Sequence, residues 1–221
     1  KKKKNPLEVI PGAAQLLDRE LHNEDQKEYT QVIIAEADRL RTLVDRMLGP
    51  NKAPKMASTN IHEVLERVKT LLEAESRGRL NFRRDYDPSL PEFQGDKEQL
   101  IQAFLNIARN AMEAAFENQA EMTGDEQPTI TFRTRALRQF TIGHKRHRLV
   151  CRVDVIDNGP GIPPDLLQNV FYPMISGRAS GTGLGLSITQ SIIGQHHGLV
   201  ECESEPGKTD FIIFLPLEEN Q

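Results

Sequence analysis

Apolar positions at the start of the chain recur at alternating steps of three and four residues. They are Leu7, Ile10, Ala14, Leu17 and Leu21. That spacing puts them on one seam of an α-helix, as in a coiled coil. Pro6 and Pro11 predict a bend near its beginning. A second helix is predicted from Asn23, with Gln26 three residues on in a capping-box-like pair. Its apolar face holds Ile33, Ala37, Leu40, Val44 and Met47. The connection around His22 and Asn23 is short, so the two helices form an antiparallel hairpin. Two helices of this size bury too little on their own. The seams therefore call for a partner, and a second copy is the simplest one. Residues 1–48 are expected to form half of a dimeric four-helix bundle.

Gly49-Pro50-Asn51-Lys52-Ala53-Pro54-Lys55 breaks the helical pattern, and a linker is assigned to 49–57. A mixed pattern follows over 58–221. Ile61, Val64, Leu65, Val68, Leu71 and Leu72 share a face of a helix over 61–75. A strand is predicted near 80–84, then a turn through Asp87-Pro88-Ser89. Asp96 caps a helix that buries Leu100, Ala103, Phe104, Ile107, Ala111 and Ala114, with Gln99 at the capping-box position. Residues 117–128 are polar and are predicted as a loop. Strands are expected over 129–135 and 149–156, a helix over 184–196, and strands over 200–204 and 211–215. The fold class is thus α+β: a helical hairpin followed by a two-layer α/β sandwich.

With 221 residues, the chain has ample material for a packed core. A formal net charge of −4 speaks against a general nucleic-acid binder. No apolar run approaches the roughly 20 residues of a membrane span, and no signal peptide is expected. A cytoplasmic protein is expected. Lys1-Lys2-Lys3-Lys4 is basic, but nothing amphipathic and basic follows it. Cys151 and Cys202 lie in apolar strand-like segments without metal spacing and are expected to be buried structural thiols.

Three segments carry candidate chemistry. In Asn106-Ile107-Ala108-Arg109-Asn110-Ala111, the two asparagines are four apart and share a helix face. Amide oxygens there can complete a Mg²⁺ shell, although surface or capping amides would look the same. Asp157 ends a strand and opens Asp157-Asn158-Gly159-Pro160-Gly161. Its carboxylate can accept from an exocyclic amine such as that of adenine. Gly159 and Gly161 let the backbone turn tightly and lie against a flat base. The same five residues also make an ordinary surface turn. Finally, Gly181, Gly183 and Gly185 lead into a helix, whose free N–H groups favour phosphate. A flexible loop before a helix is the plainer alternative. Each segment alone is weak. Their order and structural setting agree on an ATP site.

This set lacks the Lys-Ser/Thr of a phosphate-binding loop and does not sit in a first βαβ unit. It resembles the ATPase domain shared by sensor histidine kinases, type II topoisomerases, Hsp90 and MutL. Lys4-Asn5-Pro6-Leu7 matches the end of the histidine kinase motif His-Glu-Ile-Lys-Asn-Pro-Leu. Phe171-Tyr172-Pro173-Met174 fills the family's F box, and Gly207-Lys208-Thr209 its last glycine motif. Three further stretches resemble the nitrogen-regulation sensor kinases of the NtrB type. They are Gly12-Ala13-Ala14-Gln15-Leu16-Leu17, Arg84-Asp85-Tyr86-Asp87-Pro88-Ser89-Leu90-Pro91 and Tyr172-Pro173-Met174-Ile175-Ser176-Gly177-Arg178.

The resemblance implies ATP under a lid spanning roughly residues 163–182, with γ-phosphoryl transfer to a histidine and then to a response-regulator aspartate. It implies Asn110 as the main Mg²⁺ ligand, Asn106 as a secondary site residue and Asp157 as the adenine reader. Gly181, Gly183 and Gly185 would cradle phosphate, with Thr209 beside the nucleotide and Arg178 approaching from the lid. The implied partners are a second copy, a nitrogen response-regulator receiver domain and the PII signal protein, with no direct nucleic acid and no membrane.

The chain departs from the family at its front. Counting back from Asn5, Lys1 stands where the acceptor histidine belongs and Lys2 where its acidic neighbour belongs. A lysine with a pKa of about 10.4 is protonated at neutral pH and is no nucleophile. His22, His62, His144, His147, His196 and His197 fall elsewhere and are expected to be surface or structural residues. Autophosphorylation is therefore expected to be absent in this chain as written. By the resemblance, Asn5 can orient a water that dephosphorylates the regulator; Asn before Pro also simply favours a bend. Two alternatives stand beside the kinase: an ATP-dependent clamp of the topoisomerase or MutL type, opposed by the hairpin and the F box, and a dimeric nucleotide-binding module.

Overall fold

The structure, a computed structural model, describes residues 17, 26, 27, 29–34, 53–120, 126–175, 177 and 183–217. The chain divides into two compact units, Lys1–Asn51 and Lys52–Gln221. In the first unit every described residue is helical. Leu17 and Ile33, both seam positions, are exposed, as are Tyr29 and Val32. The rest of the hairpin lies outside the described residues.

The second unit is built on a five-stranded sheet. Its strands are β2 (Asn81–Asp85), β4 (Thr129–Ile142), β5 (Lys145–Asp157), β6 (Leu199–Glu205) and β7 (Lys208–Pro216), in the order β2-β4-β5-β7-β6. The pair β2–β4 is parallel and the others are antiparallel. Two three-residue strands, β1 (Ala57–Thr59) and β3 (Phe93–Gly95), pair separately. Helices α1 (Ile61–Ser76), α2 (Lys97–Glu117) and α4 (Gly185–Gln195) are joined by a short α3 (Pro164–Leu167). Helix α2 packs between α1 and α4 and against β4 and β5. This is the expected two-layer sandwich.

Register shows how the core is made. Phe132, Val155 and Phe211 lie side by side, as do Thr134, Val153 and Ile213. All are buried, and they meet the apolar stripe Leu100, Ala103, Phe104, Ile107, Ala111 of α2. Ala114 is only half-buried, while Ala108 and Ala115 are inside. Helix α1 buries Ile61, Val64, Leu65, Val68 and Leu72, with Leu71 at the margin.

Four expectations need correction. The strands predicted over 129–135 and 149–156 are the paired ends of a much longer hairpin, closed by the two-residue turn Gly143-His144. Gly143 has φ +60°, as the favoured hairpin turns require. Gln139 adopts φ +55° and interrupts the alternation. Beyond it, Phe140 and Ile142 join Leu137 against Val150, Ile212 and Phe214, forming a second cluster on the far face of the sheet. The loop expected from residue 117 begins with the end of α2 and a 3₁₀ turn, Asn118–Ala120. Cys151 is fully buried but Cys202 only partly; burial pushes both thiols up to about 12.

The fourth correction concerns the cap of α2. Asp96 accepts from the N–H groups of Glu98 and Gln99, as expected of an N-cap. The return arm of a capping box is not made by Gln99. The Asp96 N–H instead donates to Nε2 of His196, 2.9 Å away.

Candidate functional site

The Asp157 strand end is the last row of the sheet. Ile130, Asp157, Thr209 and Ser204 lie side by side across β4, β5, β7 and β6. Asp157 is 3% exposed and Thr209 2%, so both side chains sit inside the protein at the sheet's end. The Asp157 Oδ1 accepts from the Gly159 N–H at 2.8 Å, which fixes the turn to the carboxylate. Thr209 and Ser204 hydroxyls are 3.0 Å apart. Ser204 Oγ also accepts from the Ile162 N–H at 2.8 Å. Asn158 holds the far side: its Oδ1 accepts from the Thr129 N–H, and its carbonyl accepts from Asn118 of the 3₁₀ turn.

The glycines of this turn answer to close approaches. A Cβ on Gly159 would lie 2.7 Å from Ala114 Cβ and 2.7 Å from Asp157 Oδ1. Gly161 has φ +86°, and a Cβ there would lie 2.6 Å from the Glu205 carbonyl oxygen. In the glycine-rich segment, Gly183 has φ +64°, and its carbonyl accepts from the Met174 N–H at 3.0 Å. Helix α4 then starts at Gly185, and no side chain among the described residues caps it. Its first-turn N–H groups are therefore available to an anion. Phe171 of the F box meets Phe211 edge-on at 6.4 Å, which packs this segment against the sheet.

Helix α2 connects these parts. Residues four apart lie above one another on a helix, so Asn106, Asn110, Ala114 and Asn118 form one stripe. Asn106 Nδ2 donates to the Gly185 carbonyl at 3.1 Å. Ala114 abuts Gly159, and Asn118 reaches Asn158. Asn110 falls between these contacts, half-buried. Among the described residues, none hydrogen-bonds its side chain. An amide at that point can coordinate a cation or bind phosphate oxygens. Arg109, on the next face, is exposed and pairs with Glu75 of α1; that hydrogen bond holds the Glu75 carboxyl below its usual range.

The structure thus brings together Asn106, Asn110, Asp157, Gly159, Gly161, Gly183, Gly185 and Thr209. Lys1, Asn5, Arg178 and Gly181 lie outside the described residues. The sequence reading missed Asn158, Ser204 and His196. Asn158 stood inside a segment already singled out, while Ser204 and His196 gave no local signal.

Residues 95–219 match the family model of the histidine kinase-, DNA gyrase B- and HSP90-like ATPases. The chain belongs to that ATPase family. Residues 4–53 match the family model of the His Kinase A phospho-acceptor domain. The chain is 50% identical over 214 residues to the sensory histidine kinase/phosphatase NtrB of Vibrio alginolyticus, covering 97% of this chain and 59% of the relative. It is 51% identical to the NtrB of Proteus hauseri, with 97% and 60% covered. The chain spans about three fifths of the length of the curated relatives it matches. Among solved structures, the catalytic domain of histidine kinase ThkA is 26% identical, with a TM-score of 0.59, and covers 74% of this chain and 96% of that one. ThkA in complex with the response regulator protein TrrA is 25% identical, with a TM-score of 0.61, covering 97% and 58%. These likenesses support the histidine kinase reading over the topoisomerase-type clamp. Among the described residues, no helix is long and apolar enough to cross a membrane.

Proposed function

We propose that this chain is the ATP-binding and phosphotransfer core of a nitrogen-regulation sensor kinase. The observation that carries it is the α2 stripe, which sets Asn110 between the uncapped start of α4 at Asn106 and the Asp157 turn at Ala114. In this reading the adenine amine donates to the buried Asp157 carboxylate, and the phosphates run toward Gly183 and Gly185, with Gly181 and Arg178 completing that side. Thr209 lines the adenine end. Asn110 would hold Mg²⁺, with Asn106 as an auxiliary. The metal would neutralise charge on the β- and γ-phosphate oxygens. The protein's part is positioning and charge stabilisation.

An acceptor histidine attacks the γ-phosphorus, the bond to the ADP oxygen breaks, and the phosphoryl group then passes to an aspartate of a response-regulator receiver domain. Position 1 is the acceptor's place, and Lys1 cannot serve, so this chain as written binds nucleotide without labelling itself. By the likeness to histidine kinases, Asn5 would orient a water that hydrolyses the regulator's phosphoaspartate to aspartate and phosphate. Residues 1–48 make the dimerisation and acceptor hairpin, 49–57 the linker and 58–221 the catalytic domain. Exposure of Leu17 and Ile33 supports a second copy as the hairpin's partner. The PII protein and a cytoplasmic location belong to the same reading and rest on the likeness to NtrB.

Calorimetric titration of the full chain with ADP and Mg²⁺ tests the site. Asp157→Ala should weaken binding by roughly 1–3 kcal/mol, the cost of losing a buried polar partner. Equal affinity in the variant would reject Asp157 as the adenine reader.

A further inference from the structure

The contacts of Asp96 join three parts of the second unit. Its Oδ2 accepts from the backbone N–H of Lys55, 2.7 Å away in the linker. Its Oδ1 caps α2 through the Glu98 and Gln99 N–H groups, each at 3.1 Å. Its own N–H donates to His196 Nε2 at the end of α4. That ring nitrogen must be unprotonated to accept, so Nδ1 carries the hydrogen and donates to the Ile192 carbonyl at 2.8 Å. Burial alone would raise the Asp96 carboxyl. The N–H groups of Lys55, Gln99 and Glu98 reverse this and hold it below the usual carboxylate range.

Helix α4 is tied at both its ends and in its middle to the N-terminal half of α2. Asp96 meets His196 at one end, Asn106 meets Gly185 at the other, and Thr189 Oγ1 donates to the Ala103 carbonyl between them. Two antiparallel helices linked in this way move as one frame, and the frame carries the asparagines on one rod and the glycine-led helix start on the other. The linker is bonded to that frame through the Asp96 carboxylate, and β1 at its end is held to β3, just ahead of α2, by Thr59 Oγ1, which donates to the Gly95 carbonyl at 2.9 Å.

We propose that Asp96 is a positioning residue through which the linker sets the geometry of the nucleotide site, so that holding the Lys55 bond pre-organises the α2–α4 frame for nucleotide. This rests on the nucleotide reading given above. With the bond released, the frame gains freedom that nucleotide binding must remove, and affinity falls.

Two substitutions break the bond from opposite ends. Asp96→Asn keeps an oxygen for the cap, where Asn serves as well as Asp, but turns an N–H₂ group toward the Lys55 N–H. Lys55→Pro removes the donor and leaves Asp96 intact. Titration of the full chain with Mg²⁺-ADP should show each variant weakened by about three- to tenfold, a part of the roughly 10- to 150-fold that one hydrogen bond to a charged group is worth. The double variant should be no weaker than the weaker single one, because both remove the same bond. Thermal melts report the structural role separately. Variants that lose Tm while keeping affinity within about twofold would reduce Asp96 to a helix cap and overturn the proposal. So would a double variant whose loss is the product of the two singles. If the unaltered chain, folded by its melt, binds no nucleotide, the site assignment itself falls and this inference falls with it.

Discussion

Gly159→Ala tests how closely the Asp157 turn is packed on α2. The added methyl would lie 2.7 Å from Ala114 Cβ, 2.7 Å from Asp157 Oδ1 and 3.0 Å from the Ala114 carbonyl carbon. Carbon atoms rest at about 3.5 Å or more, so the turn must retreat by roughly 0.8 Å. Overpacking of this kind costs about 1–3 kcal/mol. The retreat also lengthens the 2.8 Å bond from Gly159 N–H to Asp157, worth about 1 kcal/mol. A net loss of about 2–3 kcal/mol corresponds to a fall in Tm of roughly 4–12 °C for a unit of this size. Nucleotide affinity should fall as well, because the carboxylate moves with the turn. A cycle with Ala114→Gly isolates the contact. Removing the Ala114 methyl costs about 1 kcal/mol in helix propensity but takes away one of the clashes. In that background, Gly159→Ala should cost at least 1 kcal/mol less. An unchanged Tm in the single variant, or the same penalty in both backgrounds, would refute the close packing from which the site geometry is drawn.

Asp210 is 5% exposed, and its carboxyl is pushed up to about 6, first by burial and then by Asp154. A raised carboxyl favours the protonated folded form, so its contribution is complete below about pH 4 and is lost as pH rises through 6. Asp210→Asn should therefore gain roughly 1–3 kcal/mol relative to the parent at pH 7–8, and parallel Tm-against-pH curves would contradict this. Leu17→Asp should turn a dimer into a monomer by placing charge on the hairpin seam, as read by sedimentation; a parent chain that is monomeric at tens of micromolar, about the range in which such bundles associate, would reject the bundle. Placing His, Glu and Ile at positions 1–3 should restore an acid-labile, base-stable phosphoryl label at position 1. Label on a histidine of the unaltered chain would show that the motif register is wrong.

Much of this was legible from local rules. Asp157 sits at a strand end because Val153 and Val155 alternate inward ahead of it. Asp96 caps α2 because a short carboxylate beside a free helix start has little else to do. The full hairpin was not legible, since Arg138, Gln139, Lys145 and Arg146 dilute the alternation and Gln139 reverses it by a left-handed backbone that no local pattern announces. Strands β1 and β3 are three residues each and gain their identity only by pairing with one another. His196 lies a hundred residues from Asp96 in sequence, so only the packing of α4 on α2 reveals that it takes the place of a capping-box partner. Likewise, the Ala114–Gly159 contact exists only once the strand end is laid against the helix.

The two outer strands of the sheet carry a further meaning. On β2, Arg83 and Arg84 are exposed and Asp85 is half-buried. On β6, Glu201, Glu203 and Glu205 are all exposed. Charged rows of this kind discourage a foreign strand from adding to an open sheet edge. The acidic row on β6 would also face its own charge in any pairing of β6 with β6. The sheet is thus guarded against sticking to its own copies, so a pairing of like chains through exposed apolar helix positions such as Leu17, Val32 and Ile33, as proposed above, would not compete with fusion of the sheets.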